Sequence, residues 1–443
     1  MKRFWVETFG CQMNKLDTEQ FTGELMQHGY APATGQEDAD VILFNTCSVR
    51  EHAEQRVYSR AGILKFRKSK DPGLVIGILG CMAQQEREKI LDRLPHVDLV
   101  AGPDQYKNLP ALIEQARDSG EAVLATRHTA FIPKFDRLVA PRENPWQAYI
   151  LAMKGCDEMC SYCVVPRTRG REVSKPIPEI VEEAKVLAGQ GVVEITLLGQ
   201  NITAYGEKEG KELADLVEAV AGVPGIRRVR FVTSHPHHAT RRLFRAMRDL
   251  PNVMPQIHMP AQSGSDRILA LMKRTYTNAE YLEIVAMARE ECPGIELASD
   301  FIVGFPTESE DDFSATMKLA EGIGFGYAFI FQYSPRPGTT GMRDLADDVP
   351  AEVKLRRNHE LLALQERVQL EKNCARVGAT VEVLVEGRSE RNKAKWTGRG
   401  PDNRIVVFEG DGDLAGKFVE TKIARATALT LYGEPVGEPA AVK

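Results

Sequence analysis

No run of about 18 apolar residues, the length needed to cross a bilayer as a helix, occurs in the 443-residue chain. Candidates such as Val192–Leu198 are short and broken by polar residues. The opening stretch Met1-Lys2-Arg3-Phe4-Trp5-Val6-Glu7 lacks the apolar core of a secretory signal. No membrane partner and a cytoplasmic location are therefore the expectation. Internal repeats and low-complexity tracts are missing too, which argues against a solenoid or a disordered tail protein. Aromatic residues make only 7% of the chain, with three tryptophans. A phosphate-binding P-loop is also lacking: Gly410 to Lys417 has the wrong spacing, and Phe418 stands where magnesium needs Ser or Thr. There is no excess of positive charge, since 57 Lys and Arg face 62 Asp and Glu for a net −5. That average speaks against a nucleic-acid partner, but binding surfaces are patches rather than averages.

What is present is the balance of an ordinary globular protein, 43% hydrophobic and 27% charged. At roughly 150 residues per domain the length predicts three domains. The first part alternates short apolar runs with helical stretches. Strands are expected at Phe4–Gly10, Val41–Thr46, Leu74–Gly80 and Val97–Gly102, and helices at Leu16–His28, Val49–Lys68 and Leu109–Arg117. This pattern predicts a doubly wound parallel α/β sheet over residues 1–120. A proline-bearing linker is expected over 121–141. From Ala148 the alternation resumes with six strands, at Tyr149–Lys154, Val192–Leu198, Arg228–Thr233, Pro255–Met259, Glu296–Val303 and Phe329–Tyr333. Six βα units predict a partial (β/α)6 TIM-like barrel over 142–374. It ends in a long helix, Glu352–Val377, with Leu355, Leu362 and Leu370 along it. Thr380–Val385, Arg404–Phe408 and Lys417–Leu431 then predict a small, OB-like C-terminal β-barrel over 375–438.

Eight cysteines in a chain without an export signal are expected to be reduced. Cys156, Cys160 and Cys163 are spaced C-x3-C-x2-C directly after the first barrel strand, where such barrels keep their active sites. Three thiolates in one loop suit three irons of a 4Fe–4S cube and leave one iron open. A structural zinc site would need a fourth Cys or His at matching spacing, and none is nearby. Cys11, Cys47 and Cys81 lie 36 and 34 residues apart, yet each follows an expected strand. The ends of parallel strands converge on one edge, so these three thiols can meet and hold a second cube. The alternative for any one of them is a small buried hydrophobe. Cys292 and Cys374 are expected to be packing residues.

The C-x3-C-x2-C motif after the first strand of a six-stranded barrel resembles the radical S-adenosylmethionine superfamily. Gly155-Cys156 and Cys163-Val-Val-Pro-Arg-Thr-Arg-Gly170 resemble its methylthiotransferase branch. Glu386-Gly387-Arg388-Ser389 and Thr397-Gly398-Arg399, with Asn403-Arg404, resemble a TRAM RNA-binding module. The order of the three parts is similar to that of tRNA methylthiotransferases. The MiaB-type branch is suggested by Phe9-Gly-Cys-Gln-Met-Asn14, Phe44-Asn-Thr-Cys-Ser-Val-Arg-Glu51 and Arg171-Glu-Val-Ser-Lys-Pro176.

The resemblance implies two 4Fe–4S clusters and S-adenosylmethionine used twice, as methyl donor and as source of a 5′-deoxyadenosyl radical. It implies conversion of N6-(dimethylallyl)adenosine at tRNA position 37, in the anticodon stem-loop, to its 2-methylthio derivative. A reductant such as flavodoxin or ferredoxin and a sulfur donor are implied partners, and a monomer is expected. Sibling enzymes act on threonylcarbamoyladenosine in tRNA or on an aspartate of a ribosomal protein. A non-catalytic iron–sulfur RNA-binding or redox protein is the rival of another class.

Other strand ends carry amide, hydroxyl and carboxylate groups. The resemblance implies a cofactor or substrate role for Gln200, Ser234, Gln262, Ser263 and Asp300, each of which can instead be a turn or cap residue. His235, His237 and His238 are read as loop histidines, since no carboxylate or thiol stands at ligand spacing. Three basic runs answer the charge objection: Arg60–Lys70, Ile226–Arg248 with seven arginines, and Arg388–Arg404. In the last, Arg388, Arg391, Lys393, Lys395, Arg399 and Arg404 surround Trp396, a composition suited to RNA backbone contact and base stacking. Three positions depart from the family pattern: Arg167 in place of Tyr, Thr307 in place of Gly, and Thr340 in place of Pro.

Overall fold

The computed structural model describes residues 1–48, 51–136 and 142–437, with 51–53 described by their backbone alone. Val49, Arg50, the linker segment 137–141 and residues 438–443 lie outside the described residues.

Strands β1 (Arg3–Phe9), β2 (Ala31–Pro32), β3 (Val41–Thr46), β4 (Val75–Gly80), β5 (Leu99–Ala101) and β6 (Val123–Ala125) form one parallel sheet in the order β2-β1-β3-β4-β5-β6. β3 and β4 are buried at every position, which is why they read as unbroken apolar runs. Leu43 and Val75 face Phe21 and Leu25 of the helix Gln12–Gln27 and Ile113 of the helix Leu109–Ser119. Ile42, Phe44, Ile76 and Ile78 face Val57 and Ala61 on the opposite side. The strand order reverses at β1 and β3, so their carboxyl ends frame the crevice where open α/β sheets bind ligands. β6 falls inside the segment expected to be linker; at three residues it is too short for period reading to detect.

The second unit contains β7 (Gln147–Leu151), β8 (Met153–Lys154), β9 (Val173–Ser174), β10 (Glu194–Leu198), β11 (Arg228–Val232), β12 (Gln256–His258), β13 (Glu296–Val303) and β14 (Tyr327–Gln332). The parallel triples β7-β10-β11 and β12-β13-β14 meet through a parallel bridge between Val229 and Val253. The result is a six-stranded barrel left open between β14 and β7. The expected first strand is split, since Met153–Lys154 leaves the barrel to pair antiparallel with β9. Ile195, Leu197, Val229, Phe231, Leu297 and Phe301 point out into a core with helix residues such as Ile180, Leu216, Phe244 and Phe313. The alternate positions Glu194, Arg230, Gln256, His258, Asp300 and Tyr327 make the inner face polar.

The helix Ala351–Cys374 covers the last strand with Leu361, Leu364 and Val368. Leu355, Leu362 and Leu370, read from sequence as its apolar stripe, are exposed. Spacings of seven and eight residues are not unique to the buried face, and each of these leucines lies beside the stripe that packs. The chain ends in a closed barrel of β15 (Thr380–Arg388), β16 (Trp396–Arg399), β17 (Ile405–Phe408), β18 (Phe418–Ala426) and β19 (Thr430–Pro435). The single strand expected over Lys417–Leu431 is thus two.

Both ends of the central barrel are covered. At the carboxyl ends of its strands, Met13 and Leu16 of the first unit pack on Leu151, Leu198 and Val232. Each fully buried apolar side chain of this kind contributes about 1.5–3 kcal/mol. At the opposite end, Arg228 donates to the carbonyls of Arg399 and Glu382, and Arg230 to those of Pro401 and Gly400, all within 2.7–2.9 Å. No helix among the described residues is long and apolar enough to cross a membrane.

Candidate metal-cluster site at the barrel mouth

Cys156 follows β8 through Gly155, whose φ of +77° and lack of a Cβ are both required. A Cβ there would lie 2.1 Å from the Arg171 carbonyl oxygen. The turn continues through the Cys163 N–H, which donates to the Cys160 carbonyl at 3.1 Å. Ser161 anchors it by donating from its backbone N–H to Met272 O and from its hydroxyl to Leu271 O, at 2.9 and 2.8 Å. Burial pushes the Cys163 thiol up to about 12, and burial also raises Cys156 above the usual thiol range. The Arg274 charge opposes this at Cys163, and Arg274 donates from Nη1 to Cys160 Sγ at 3.3 Å. Buried thiols of raised pKa become thiolates when a metal ion displaces the proton. Neither of the remaining cysteines is at hand as a fourth ligand: Cys292 is in the barrel's outer core and Cys374 is exposed on the long helix. The packing role expected for Cys292 holds, while the exposure of Cys374 overturns it there.

Cys11, Cys47 and Cys81 follow β1, β3 and β4, three adjacent strands at the sheet's switch point. Cys11 and Cys47 are hydrogen-bonded to each other, and that bond, with Asn14 and the Arg169 charge, lowers Cys11 to about 6. Cys81 begins its helix after Gly80 (φ +93°), where a Cβ would sit 2.5 Å from the Thr46 carbonyl oxygen. Burial raises the Cys81 thiol, and Arg169 pulls it back. The donor sets and the glycine cradles of both triads therefore fit iron–sulfur ligation.

The strand-end residues expected around the cofactor cluster at the same mouth. Gln200 accepts from the Gly155 N–H at 2.5 Å, holding the turn before Cys156. Ser234 is buried with its hydroxyl unpartnered, and Gln262 is buried with Oε1 unpartnered among the described residues. Buried polar atoms without partners mark a place that a polar ligand completes. Gln262 and Thr233 both hold positive φ, +67° and +70°, at strand ends. Ser263 is turned away, 3.3 Å from Thr316 Oγ1. Asp300 pairs with His258 Nε2 at 2.9 Å.

The histidine run differs from the sequence reading, because the fold brings Glu158 to it. Glu158, His235 and His238 present ligand atoms within 4.8 Å of one another. His235 Nδ1 accepts from the His237 N–H, which leaves its proton on Nε2, aimed at Glu158. Burial holds His235 neutral, with its pKa near 2. His238 bridges Glu158, at 2.9 Å, and Glu207. The group is an ion-paired support for the cysteine loop. Spacing along the chain missed it because Glu158 lies 77 residues before His235.

The basic runs also differ. Within Ile226–Arg248, Arg228 and Arg230 are buried against Glu194 and the C-terminal barrel, Arg241, Arg245 and Arg248 converge on Glu291, and Arg242 pairs with Asp215. In Arg60–Lys70, Arg67 caps carbonyls of Gln36 and Ala39, and Lys68 pairs with Asp98. In the C-terminal barrel, Trp396 is buried, its indole N–H on Gly410 O, with Arg388 over its ring. Arg404 is buried on Glu296 and Asp402, Arg399 pairs with Glu386, and Lys395 with Glu409. Arg388, Arg391 and Lys393 are exposed. Arg167 donates to the Gly338 carbonyl.

Sequence reasoning missed Arg169, Arg274 and His258; a buried arginine beside a cysteine carries no local signal.

Three cysteines in the loop after the first strand of an open six-stranded parallel barrel define a radical S-adenosylmethionine core. Residues 150–320 match the Radical SAM superfamily, residues 3–102 match Uncharacterized protein family UPF0004, and residues 375–436 match the TRAM domain. The chain is 43% identical to the tRNA-2-methylthio-N(6)-dimethylallyladenosine synthase of Rhodopirellula baltica, covering 98% of this chain and 95% of that one. It is 45% identical to the enzyme of the same name from Aromatoleum aromaticum, covering 98% and 99%. The radical S-adenosylmethionine methyltransferase TsrM of Kitasatospora setae shares the fold at 14% identity, with TM-score 0.56 over 77% of each chain. The chain belongs to the tRNA-2-methylthio-N(6)-dimethylallyladenosine synthase family, whose Radical SAM part implies an iron–sulfur cluster and S-adenosylmethionine.

Proposed function

We propose that this chain methylthiolates N6-(dimethylallyl)adenosine at tRNA position 37, with S-adenosylmethionine as methyl donor and radical source. The observation that supports the reading is a contact that joins the two cysteine-bearing segments at the barrel mouth. Arg169, six residues beyond Cys163, donates to Cys81 of the other triad at 3.2 Å. Cys156, Cys160 and Cys163 hold the S-adenosylmethionine cluster, and Cys11, Cys47 and Cys81 an auxiliary 4Fe–4S cluster. Bound there, these groups supply hydrogen abstraction from an unactivated carbon and sulfur for insertion, chemistry that side chains lack.

The chain's own residues position and shield. Gln200 fixes the turn that presents Cys156. Ser234 and Gln262 offer unpartnered polar atoms to the cofactor, with Asp300 and Ser263 in supporting positions. Met13 and Leu16 close the mouth against water at the seam between residues 1–120 and 142–374. Arg388, Arg391 and Lys393 give the C-terminal barrel, residues 375–438, an exposed cationic edge for RNA phosphates, with Lys395 and Arg399 beside it. Trp396 and Arg404 support that edge from inside. A flavodoxin- or ferredoxin-type reductant, a sulfur donor, a monomeric state and a cytoplasmic location complete the reading.

Nucleoside mass spectrometry of tRNA from a strain lacking the chain tests it. The expected result is loss of the methylthio group with the dimethylallyl group retained. An unchanged nucleoside profile refutes the assignment, and loss of a threonylcarbamoyladenosine derivative transfers it to the sibling reaction.

A further inference from the structure

Arg169 belongs to the segment that carries Cys156, Cys160 and Cys163, but its side chain is spent on the first domain. It sits at the end of the short helix Val165–Thr168 and is 7% exposed. Its Nη1 and Nη2 meet Asp17 Oδ1 and Oδ2 at 3.1 and 2.6 Å, a bidentate pair across 152 residues of sequence. With the planar fork fixed on Asp17, the Nε N–H is aimed as well: it donates to Cys81 Sγ at 3.2 Å. A clamp between domains needs only the bidentate face. Nothing in clamping requires the third donor to lie on a cysteine sulfur.

The contrast with the other triad sharpens the point. Arg274 donates to Cys160 in the same manner, yet among the described residues no carboxylate forms an ion pair with it. Each triad thus has one guanidinium on one thiol. Among the described residues only the guanidinium at Cys81 is ion-paired to a carboxylate, and only there does it come from the other cluster's loop.

We infer that Arg169 is a positioning residue for the auxiliary cluster, raising its reduction potential through the N–H···S bond to Cys81 while Asp17 limits the rise. The inference rests on the reading that Cys11, Cys47 and Cys81 hold a second cluster. Hydrogen bonds to ligand sulfurs and nearby positive charge stabilise the more negative, reduced cluster and so raise its potential. Asp17, buried on the same guanidinium, offsets part of that charge. The cysteine loop of the barrel thereby sets the potential of a cluster it does not ligate.

The test uses the full-length chain with Cys156, Cys160 and Cys163 replaced by Ala, so that iron and sulfide load the first domain alone. The reconstituted protein is titrated with dithionite and followed by electron paramagnetic resonance. In that background Arg169→Lys, which keeps a cation for Asp17 but loses the directed N–H, lowers the potential. The expected size is a tenfold change in the oxidised-to-reduced ratio, about 59 mV for one electron. Asp17→Asn, which leaves the donor and removes the balancing charge, moves the potential upward. Opposite shifts support the inference. Unmoved potentials, or shifts of the same sign, in iron-loaded protein overturn it and leave the second cluster standing. Loss of iron from Arg169→Lys alone overturns it in favour of an assembly role. Failure of the parent background to take up iron overturns the second-cluster reading, and the inference with it.

Discussion

Arg404 of the C-terminal barrel and Glu296 at the start of β13 form a buried ion pair at 2.6 Å. Both side chains are almost fully covered, and the guanidinium also meets Asn373 and Asp402. The pair fastens the small barrel to the polar inner end of the large one. Arg404→Ala removes the bonds to Glu296, Asp402 and Asn373, but Glu296 keeps Lys372 and Asp402 keeps Arg376, so the expected destabilisation is about 1.5–3 kcal/mol. Thermal unfolding checks this, and a variant as stable as the parent would refute the buried-pair account.

Arg391 and Lys393 are the counter-case, since both are exposed on the same barrel. Their replacement by Ala is expected to leave the melting temperature within a degree or two, because exposed charges contribute little to folding. If they contact RNA phosphate, each loss lowers the slope of log affinity for tRNA against log salt by roughly one. Binding measured across a salt series reads that slope directly, and an unchanged slope would remove both residues from the RNA surface.

The difference between these two cases explains what was legible in the sequence. Arg391 and Arg404 look alike in a basic run, and only the fold, by bringing Glu296 to Arg404, separates them. The same holds for the seven arginines of Ile226–Arg248, whose carboxylate partners include Glu194, Asp215 and Glu291 from distant segments. Strands were readable where a buried apolar run fixed them, as at Val41–Thr46 and Glu296–Val303. The cysteine triads were readable because strand ends in a parallel sheet converge whatever the loops do. Arg169, Arg274 and Glu158 were not, because each acts on a residue that the chain brings close only after folding.

Thr307 explains one departure from the family pattern in energetic terms. Its φ is +67°, a conformation that glycine adopts freely and a β-branched residue adopts at a cost of about 1–2 kcal/mol. Asp348 accepts from its N–H at 2.7 Å, and Arg267 donates to its hydroxyl at 3.0 Å. Thr307→Gly relieves the strain but loses the Arg267 bond and frees the unfolded chain, worth about 0.5–1 kcal/mol. The expected net is a stabilisation of no more than about 1 kcal/mol, read from denaturant midpoints. A loss larger than 1 kcal/mol would show that the hydroxyl, not the backbone, governs the position.

His238 gives the chain a pH dependence near neutrality. Burial alone would lower its pKa, but the hydrogen bond and charge of Glu158 and the facing Glu207 outweigh it and raise it. The neighbouring rings are those of His235 and His237. A folded pKa above the unfolded value means the stabilisation is complete below about pH 6.5 and fades as pH rises through the folded value. His238→Gln is therefore expected to cost about 2 kcal/mol at pH 6. The gap from the parent should narrow steadily towards pH 9. Paired melting curves check the sign, and a gap that widens with pH would contradict the imidazolium assignment.

Gln262 separates a structural role from a ligand-binding one. Its backbone N–H already donates to the Asp300 carbonyl at 2.8 Å, while its side-chain Oε1 is buried without a partner. Truncation to Ala leaves the backbone bond intact and removes an acceptor that the protein itself does not use. Folding stability should therefore change by less than about 1 kcal/mol, since no intramolecular bond to Oε1 is lost. Binding of S-adenosylmethionine should weaken about tenfold, the value of one well-made hydrogen bond near 1.4 kcal/mol. Equilibrium binding to the cluster-loaded chain, set beside a melting curve of the same variant, distinguishes the roles. Loss of stability with unchanged affinity would assign Gln262 to the scaffold.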